Sequence, residues 1–180
     1  MRTLIPIADG CEEMEAVIVT DILRRAKWDV VLAGISGDDP VTASRGVVLI
    51  PDAQWDELVL MDFDLIVLPG GLEGTDALCK HDGVQETLRV FDVAEKWIAA
   101  ICAAPLALHT AGVLEDRVFT CYPGIEKEMG RTDRSDDLVV IDQNIITSQG
   151  PGTAFDFALA LIEKIDSAEA ADAVRAGLLY

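Results

Sequence analysis

Four cysteines, two histidines and 32 acidic residues against 14 lysines and arginines are what this 180-residue chain offers for chemistry. The cysteines, Cys11, Cys79, Cys102 and Cys121, form no C-x-x-C pair. With only His81 and His109 beside them they have no zinc-ligand spacing, so no metal is expected. Cys102 has the most informative surroundings. It interrupts the run Trp97-Ile98-Ala99-Ala100-Ile101-Cys102-Ala103-Ala104-Pro105-Leu106-Ala107-Leu108. The first half reads as an apolar strand. The second half reads as a helix whose Pro105 falls where the first turn tolerates a missing N–H. A nucleophile on a sharp strand-to-helix turn is the nucleophile-elbow arrangement, with Cys in place of Ser. The helix start beyond it offers unpaired N–H groups and a positive dipole end, both of which favour a thiolate. The same residue reads equally well as a small buried core side chain.

The elements that must position this turn follow from the apolar pattern. Arg2 to Ala8 reads as a strand, and Asp9-Gly10-Cys11 as a turn. A helix opens at Glu12-Glu13-Met14-Glu15, with Met14, Val17, Ile18, Ile22, Leu23 and Ala26 at helical spacing. Trp28 to Ile35 is a second strand, closed by Ser36 to Pro40. Val41 to Ser44 and Val47 to Ile50 form a small hairpin turned by Gly46. Asp52 to Met61 is a weak connector with room for one helical turn. Phe63 to Leu68 is a buried strand ending at Pro69-Gly70-Gly71, where two glycines let backbone approach closely. Weak helical signals cover Leu72 to Lys80, and an amphipathic helix runs from Val84 to Lys96. After the elbow helix, Gly112 ends the element and Arg117 to Tyr122 reads as a strand. A short polar helix lies near Ile125 to Met129. Two strands follow at Leu138 to Ile141 and Asn144 to Ser148. Thr153 caps an apolar helix to about Ile165, and Ser167 caps a last one to about Ala176.

Strands alternating with helices define an α/β protein with a mostly parallel, doubly wound sheet, read as one domain over residues 1–180. Ligands in such sheets sit beyond the carboxyl ends of the strands. Three loops of that type contain the residues singled out so far: Asp9 to Glu15, Pro69 to Gly71, and the Cys102 turn. There is no G-x-G-x-x-G or phosphate loop, so no nucleotide cofactor is expected. The net charge of -18 argues against nucleic acid and anionic membrane partners. It also suits a salt-adapted or merely soluble acidic surface. No apolar run approaches the ~20 residues of a membrane span. The start Met1 to Ile7, interrupted by Asp9, is too short for a signal peptide. The expectation is a soluble cytoplasmic protein with reduced thiols.

Six segments in order resemble the ThiJ/PfpI superfamily, in the branch of the Parkinsonism-associated deglycase and its bacterial-type relatives. They are Gly10 to Val17, Asp21 to Ala26, Ser44 to Val47, Val67 to Gly71, Ala99 to Pro105, and Thr147 to Ala154. The resemblance implies a flavodoxin-like three-layer α/β/α sandwich that forms a homodimer. It implies Cys102 as the reactive, oxidisable thiol, with Glu15 beside it as a carboxyl hydrogen-bonded to sulfur. Without it, Glu15 reads as an exposed first-turn carboxylate. A carboxyl near a thiolate in a poorly solvated site has its own pKa raised. Protonated, it can donate to S⁻ and hold the thiol pKa down.

By the same resemblance the N–H groups of Gly71 and Ala103 form an oxyanion hole beside Gly70. Arg24, Arg25 and Arg45 fall near the dimer interface; by residue type alone they read as surface cations. The deglycase and glyoxalase members carry a His where this chain has Tyr122, in Thr120-Cys121-Tyr122-Pro123. Tyr122 is therefore a candidate substrate contact, a donor but a poor base, and Gly70 is the other candidate contact. His109 reads as a structural helix residue. The missing Cys–His pair argues against peptide hydrolysis. The implied activity is cofactor-independent: a glyoxalase or deglycase action on methylglyoxal, glyoxal or their early protein adducts. The alternative is a redox stress sensor or chaperone working through Cys102.

Overall fold

The computed structural model describes residues 1–37 and 40–180. The turn read at Ser36 to Pro40 includes Asp38 and Asp39, which lie outside the described residues. The chain runs β1 (Arg2–Ile7), α1 (Glu13–Arg25), β2 (Asp29–Gly34), β3 (Val41–Thr42), β4 (Val48–Leu49) and β5 (Ala53–Gln54). It continues with β6 (Leu65–Leu68), α2 (Leu72–Lys80), α3 (Asp82–Val93), β7 (Trp97–Ile101), α4 (Pro105–Ala111) and α5 (Ile125–Glu128). It closes with β8 (Val139–Asp142), β9 (Ile145–Ser148), α6 (Ala154–Ile165) and α7 (Ala168–Leu178).

Seven strands form one sheet in the order β5-β2-β1-β6-β7-β9-β8. Every neighbouring pair is parallel except β8 with β9. The sheet lies between α1, α6 and α7, which pack on one another, and α2, α3 and α4, which do the same. This is the flavodoxin-like three-layer sandwich, with the central strands β6 and β7 buried on both faces and therefore continuously apolar. Leu65 to Leu68 are all buried, as the apolar run required. Phe63, Phe91, Phe119 and Phe157 are among the largest fully buried side chains of the two interlayer cores.

The helix signals map well. His81 caps α3 by accepting from the Val84 N–H at 3.2 Å, and Ser167 caps α7 by accepting from Ala170 at 3.1 Å. The weak connector holds the edge strand β5 and two single 3₁₀ turns, Trp55–Glu57 and Leu60–Asp62. The hairpin forms as β3 and β4, a separate two-stranded sheet.

Three expectations need correction. Arg117 to Tyr122 is not a strand. Phe119, Thr120 and Cys121 are all fully buried, as in a strand covered on both faces. Its backbone, however, is held by side chains and isolated contacts: Val118 N–H to Asp142 at 2.8 Å, Thr120 N–H to Thr147 Oγ1 at 2.9 Å. Thr153 does not cap α6; its hydroxyl bonds the Gly150 carbonyl at 2.9 Å and Ser148 Oγ at 2.6 Å. On α1, Met14 and Val17 stand exposed, whereas Glu15 is buried.

Candidate active site

The run Trp97 to Leu108 turns at Cys102 as its residue types require. Cys102 has φ 64°, a left-handed conformation unusual for a residue with a side chain. Neighbouring backbone holds it there. Its N–H donates to the Ser148 carbonyl at 3.0 Å, and its carbonyl accepts from the Tyr122 N–H at 2.8 Å. Such strain persists where surrounding structure over-determines it, and it gathers at functional sites. Pro105 opens α4 one turn later.

The three loops singled out in the sequence meet here. The loop after β1 joins the loop after β6 through the Glu12 N–H, which donates to the Gly70 carbonyl at 2.9 Å. Glu15, on the first turn of α1, is fully buried, and its Oε2 accepts from the Gly70 N–H at 2.7 Å. Oε1 is buried without a hydrogen-bond partner. The glycines are required by contact. A Cβ on Gly70 would lie 2.6 Å from the Cys102 Cβ and 2.9 Å from Glu15 Oε2. Gly71 has φ 87°, and a Cβ there would lie 2.2 Å from the Gly10 carbonyl oxygen.

Cys102 is 9 % exposed, at the floor of a cavity of about 570 Å³. The N–H groups of Gly71 and Ala103, expected to receive a substrate oxygen, lower the thiol's pKa. Burial pushes the Glu15 carboxyl up to about 7, with the Glu12 charge adding to the rise. Burial likewise pushes the Cys102 thiol up to about 12, with ionised Glu15 beside it adding to the rise. The two groups therefore titrate as a pair, and two negative charges on it are strongly disfavoured. When the proton sits on Glu15, the Coulombic penalty on S⁻ vanishes and the carboxyl O–H becomes a donor to sulfur. The expectation that Glu15 holds the thiol down thus belongs to this protonated form; ionised, Glu15 acts in the opposite sense.

Tyr122, 51 % exposed, lines the same cavity, and its ring closes over Gly150. No histidine is in the lining. His81 is spent on its cap, and His109 lines a different depression with Arg117 and Arg131. The three arginines separate. Arg45, at the hairpin turn, reaches the cavity lining. Arg24 donates to the Val30 carbonyl at 2.9 Å and pairs with Asp52, and Arg25 pairs with Asp21 at 2.6 Å. Both stay away from Cys102. Of the other thiols, Cys121 is buried 3.9 Å from Glu126 Oε2, and all four cysteines are free.

Sequence reasoning missed several lining residues: Glu12, Ser44, Leu72, Glu73, Ile125 and Pro151. Ser44 Oγ lies 2.9 Å from both Glu12 Oε2 and Glu13 Oε2, and the Arg45 N–H donates to Glu13 at 2.9 Å, so the hairpin is fastened over the start of α1. Pro151 could have been found, because it follows the carboxyl end of β9 as the other loops follow theirs. Among the described residues no group of three or more His, Cys, Asp or Glu is placed to hold a metal ion.

Fold and site together define a flavodoxin-like α/β protein with a cysteine on a strand-to-helix elbow, paired with a buried glutamate. The chain belongs to the DJ-1/PfpI family, whose model matches residues 1–164. It is 43 % identical to Protein DJ-1alpha of Drosophila melanogaster over 99 % of this chain and 84 % of that protein. It is 36 % identical to a Caenorhabditis elegans protein named glutathione-independent glyoxalase DJR-1.2, over 92 % and 88 % of the two chains. Among solved structures, oxidized Toxoplasma gondii DJ-1 superposes with a TM-score of 0.94 at 35 % identity, covering 99 % and 98 %.

Proposed function

We propose that the protein is a cofactor-independent glyoxalase or deglycase that uses Cys102 as nucleophile and Glu15 as proton carrier. The observation that carries this reading is the buried Glu15 carboxyl, held by Gly70 N–H beside a thiol on a strained elbow. The name of the Caenorhabditis relative supports it. In the reaction, Cys102 S⁻ adds to the aldehyde carbon of methylglyoxal. Protonated Glu15 gives its proton to the resulting alkoxide, forming a hemithioacetal. The Glu15 carboxylate then takes the hydrogen from the former aldehyde carbon and returns it to the neighbouring carbon. The hydroxyl proton on the first carbon passes to the second oxygen, leaving a thioester. Water cleaves the thioester, and lactate and the thiol are released. Overall one water is consumed and nothing is oxidised externally. A donor is needed for the oxygen that gains charge, and the Gly71 and Ala103 N–H groups and the Tyr122 hydroxyl would serve. An aldehyde adduct on a protein amine, presented at the cavity mouth, would enter by the same attack.

A second reading shares the site. Oxidation of Cys102 to a sulfinate would place two acceptor oxygens among the same N–H groups and the Glu15 carboxyl, which suits a stress sensor or redox-controlled chaperone. The absence of a histidine in the cavity lining argues against an amidase or peptidase. We further propose a homodimer in the cytoplasm, closed through the exposed apolar side chains Met14 and Val17 of α1 and Val48 and Ile50 beside the hairpin. Arg24, Arg25 and Arg45 would lie at its margin; a monomeric mass in solution would exclude it.

Methylglyoxal consumption by purified protein tests the enzymatic reading. The wild type is expected to turn over and Cys102→Ala to fall to the uncatalysed rate. Equal rates for the two proteins would refute the assignment.

A further inference from the structure

Leu72 is 71 % exposed at the first residue of α2, directly after Gly71, and it lines the Cys102 cavity. Tyr122, Ile125 and Pro151 line the same cavity. These four apolar or aromatic groups come from three separate segments: the start of α2, the stretch entering α5, and the turn after β9. Singly exposed apolar side chains are normal and need no explanation. Convergence of three segments on the cavity that holds the reactive thiol is different. The cavity, at about 570 Å³, lies within the range of about 300–1,000 Å³ that encloses drug-sized ligands. Methylglyoxal has five heavy atoms and leaves most of that volume unfilled.

We propose that Leu72, together with Tyr122, determines specificity by selecting 2-oxoaldehydes that carry an extended apolar group over glyoxal and methylglyoxal. The proposal rests on the glyoxalase reading of this site. The aldehyde carbon sits at Cys102 under the Gly71 and Ala103 N–H groups, and the apolar group extends over Leu72 and Tyr122 toward the mouth. The chemistry at the two reacting carbons is unchanged: one water enters and one 2-hydroxy acid leaves. A methylene in an enclosed apolar pocket is worth roughly 10- to 200-fold in discrimination. A half-open mouth returns less per methylene, so about tenfold is expected between a butyl and a methyl substituent.

The test compares kcat/KM for glyoxal, methylglyoxal and 2-oxohexanal in the wild type, Leu72→Asn and Leu72→Met. The wild type should favour 2-oxohexanal over methylglyoxal by about tenfold. Leu72→Asn should lose most of that ratio and Leu72→Met should keep it. A second measurement needs no turnover: the alkylation rate of Cys102 by N-hexyliodoacetamide relative to iodoacetamide, each normalised to free cysteine. The same pattern is expected across the three proteins. Turnover of none of the aldehydes with the alkylation preference intact overturns the glyoxalase reading and upholds apolar selection at the mouth. Ratios that are the same in the wild type and Leu72→Asn, in either measurement, overturn the selection.

Discussion

Glu15→Gln is the sharpest perturbation of the site, because it removes a charge without changing shape. The Gln side chain can still accept from the Gly70 N–H, and its amide can still face sulfur. In the wild type, burial raises the carboxyl from an ordinary value of 4.5 to about 7 in the folded chain. The sign follows from where the proton is held. Below the unfolded value both states keep the proton, and the neutral carboxyl costs nothing extra. Between the two values the unfolded chain loses its proton while the folded chain retains it, so stability falls as pH rises. Above about 7 the folded chain ionises too, and the full penalty is in place. At about 1.4 kcal/mol per pH unit, the penalty reaches about 3 kcal/mol. The Gln variant has no such titration.

Urea denaturation of both proteins from pH 4 to pH 9, under reducing conditions, reads this directly. Every other titrating group is common to the two chains. The difference between the curves therefore isolates Glu15 and its coupling to Cys102. The variant should gain on the wild type by about 3 kcal/mol between pH 4.5 and pH 8, with most of the gain below pH 7. A difference that stays flat across this range would refute the raised carboxyl and, with it, the proton-carrier role drawn from it.

Two further outcomes follow from the same geometry. Gly70→Ala should lose turnover and about 1–3 kcal/mol of stability, because its Cβ would press on the Cys102 Cβ and the Ala103 nitrogen. Gly152→Ala, which meets nothing within 4 Å, is the control; equal losses in both variants would count against a contact effect. Mild peroxide should add two oxygens to Cys102 of the wild type by intact mass, and none in Cys102→Ala. If the wild type gains none under conditions that oxidise a free thiol, the sensor reading is lost.

The sequence made some of this legible and hid the rest for physical reasons. Leu65 to Leu68 could be read because a strand buried on both faces has to be apolar throughout. The elbow could be read because strand-type residues, a small turn and an N1 proline occur within a dozen positions. Arg117 to Tyr122 misled because strand-type residues report burial, while a strand also needs a neighbouring ladder. Here the Thr120 N–H goes to a threonine side chain 27 residues away. Glu15 was misplaced by its residue type and helix position and recovered only through family resemblance. Its partner, the Gly70 N–H, lies 55 residues further along the chain, and no local pattern announces it. Leu72 gave no signal at all, since an exposed leucine looks the same in sequence as a buried one.

These misplacements share a cause. Local rules describe what a residue prefers, and this site is assembled from residues held where they do not prefer to be. Cys102 sits at φ 64°. Glu15 is a carboxyl in the core with one oxygen unpartnered. Gly70 and Gly71 give up side chains so that both can approach. The left-handed backbone at Cys102 and the unpartnered Glu15 oxygen each cost of order 1–3 kcal/mol. A sheet whose central parallel strands are buried on both faces can carry that load, and these features gather at the carboxyl ends of β1, β6 and β7. Relaxing either strained residue, by glycine replacement at Cys102 or by Gln at Glu15, should therefore leave the sheet intact and gain stability as the chemistry is lost. Such a gain in stability beside a loss of chemistry is the outcome expected if Cys102 is a working thiol, and its absence would favour core filling.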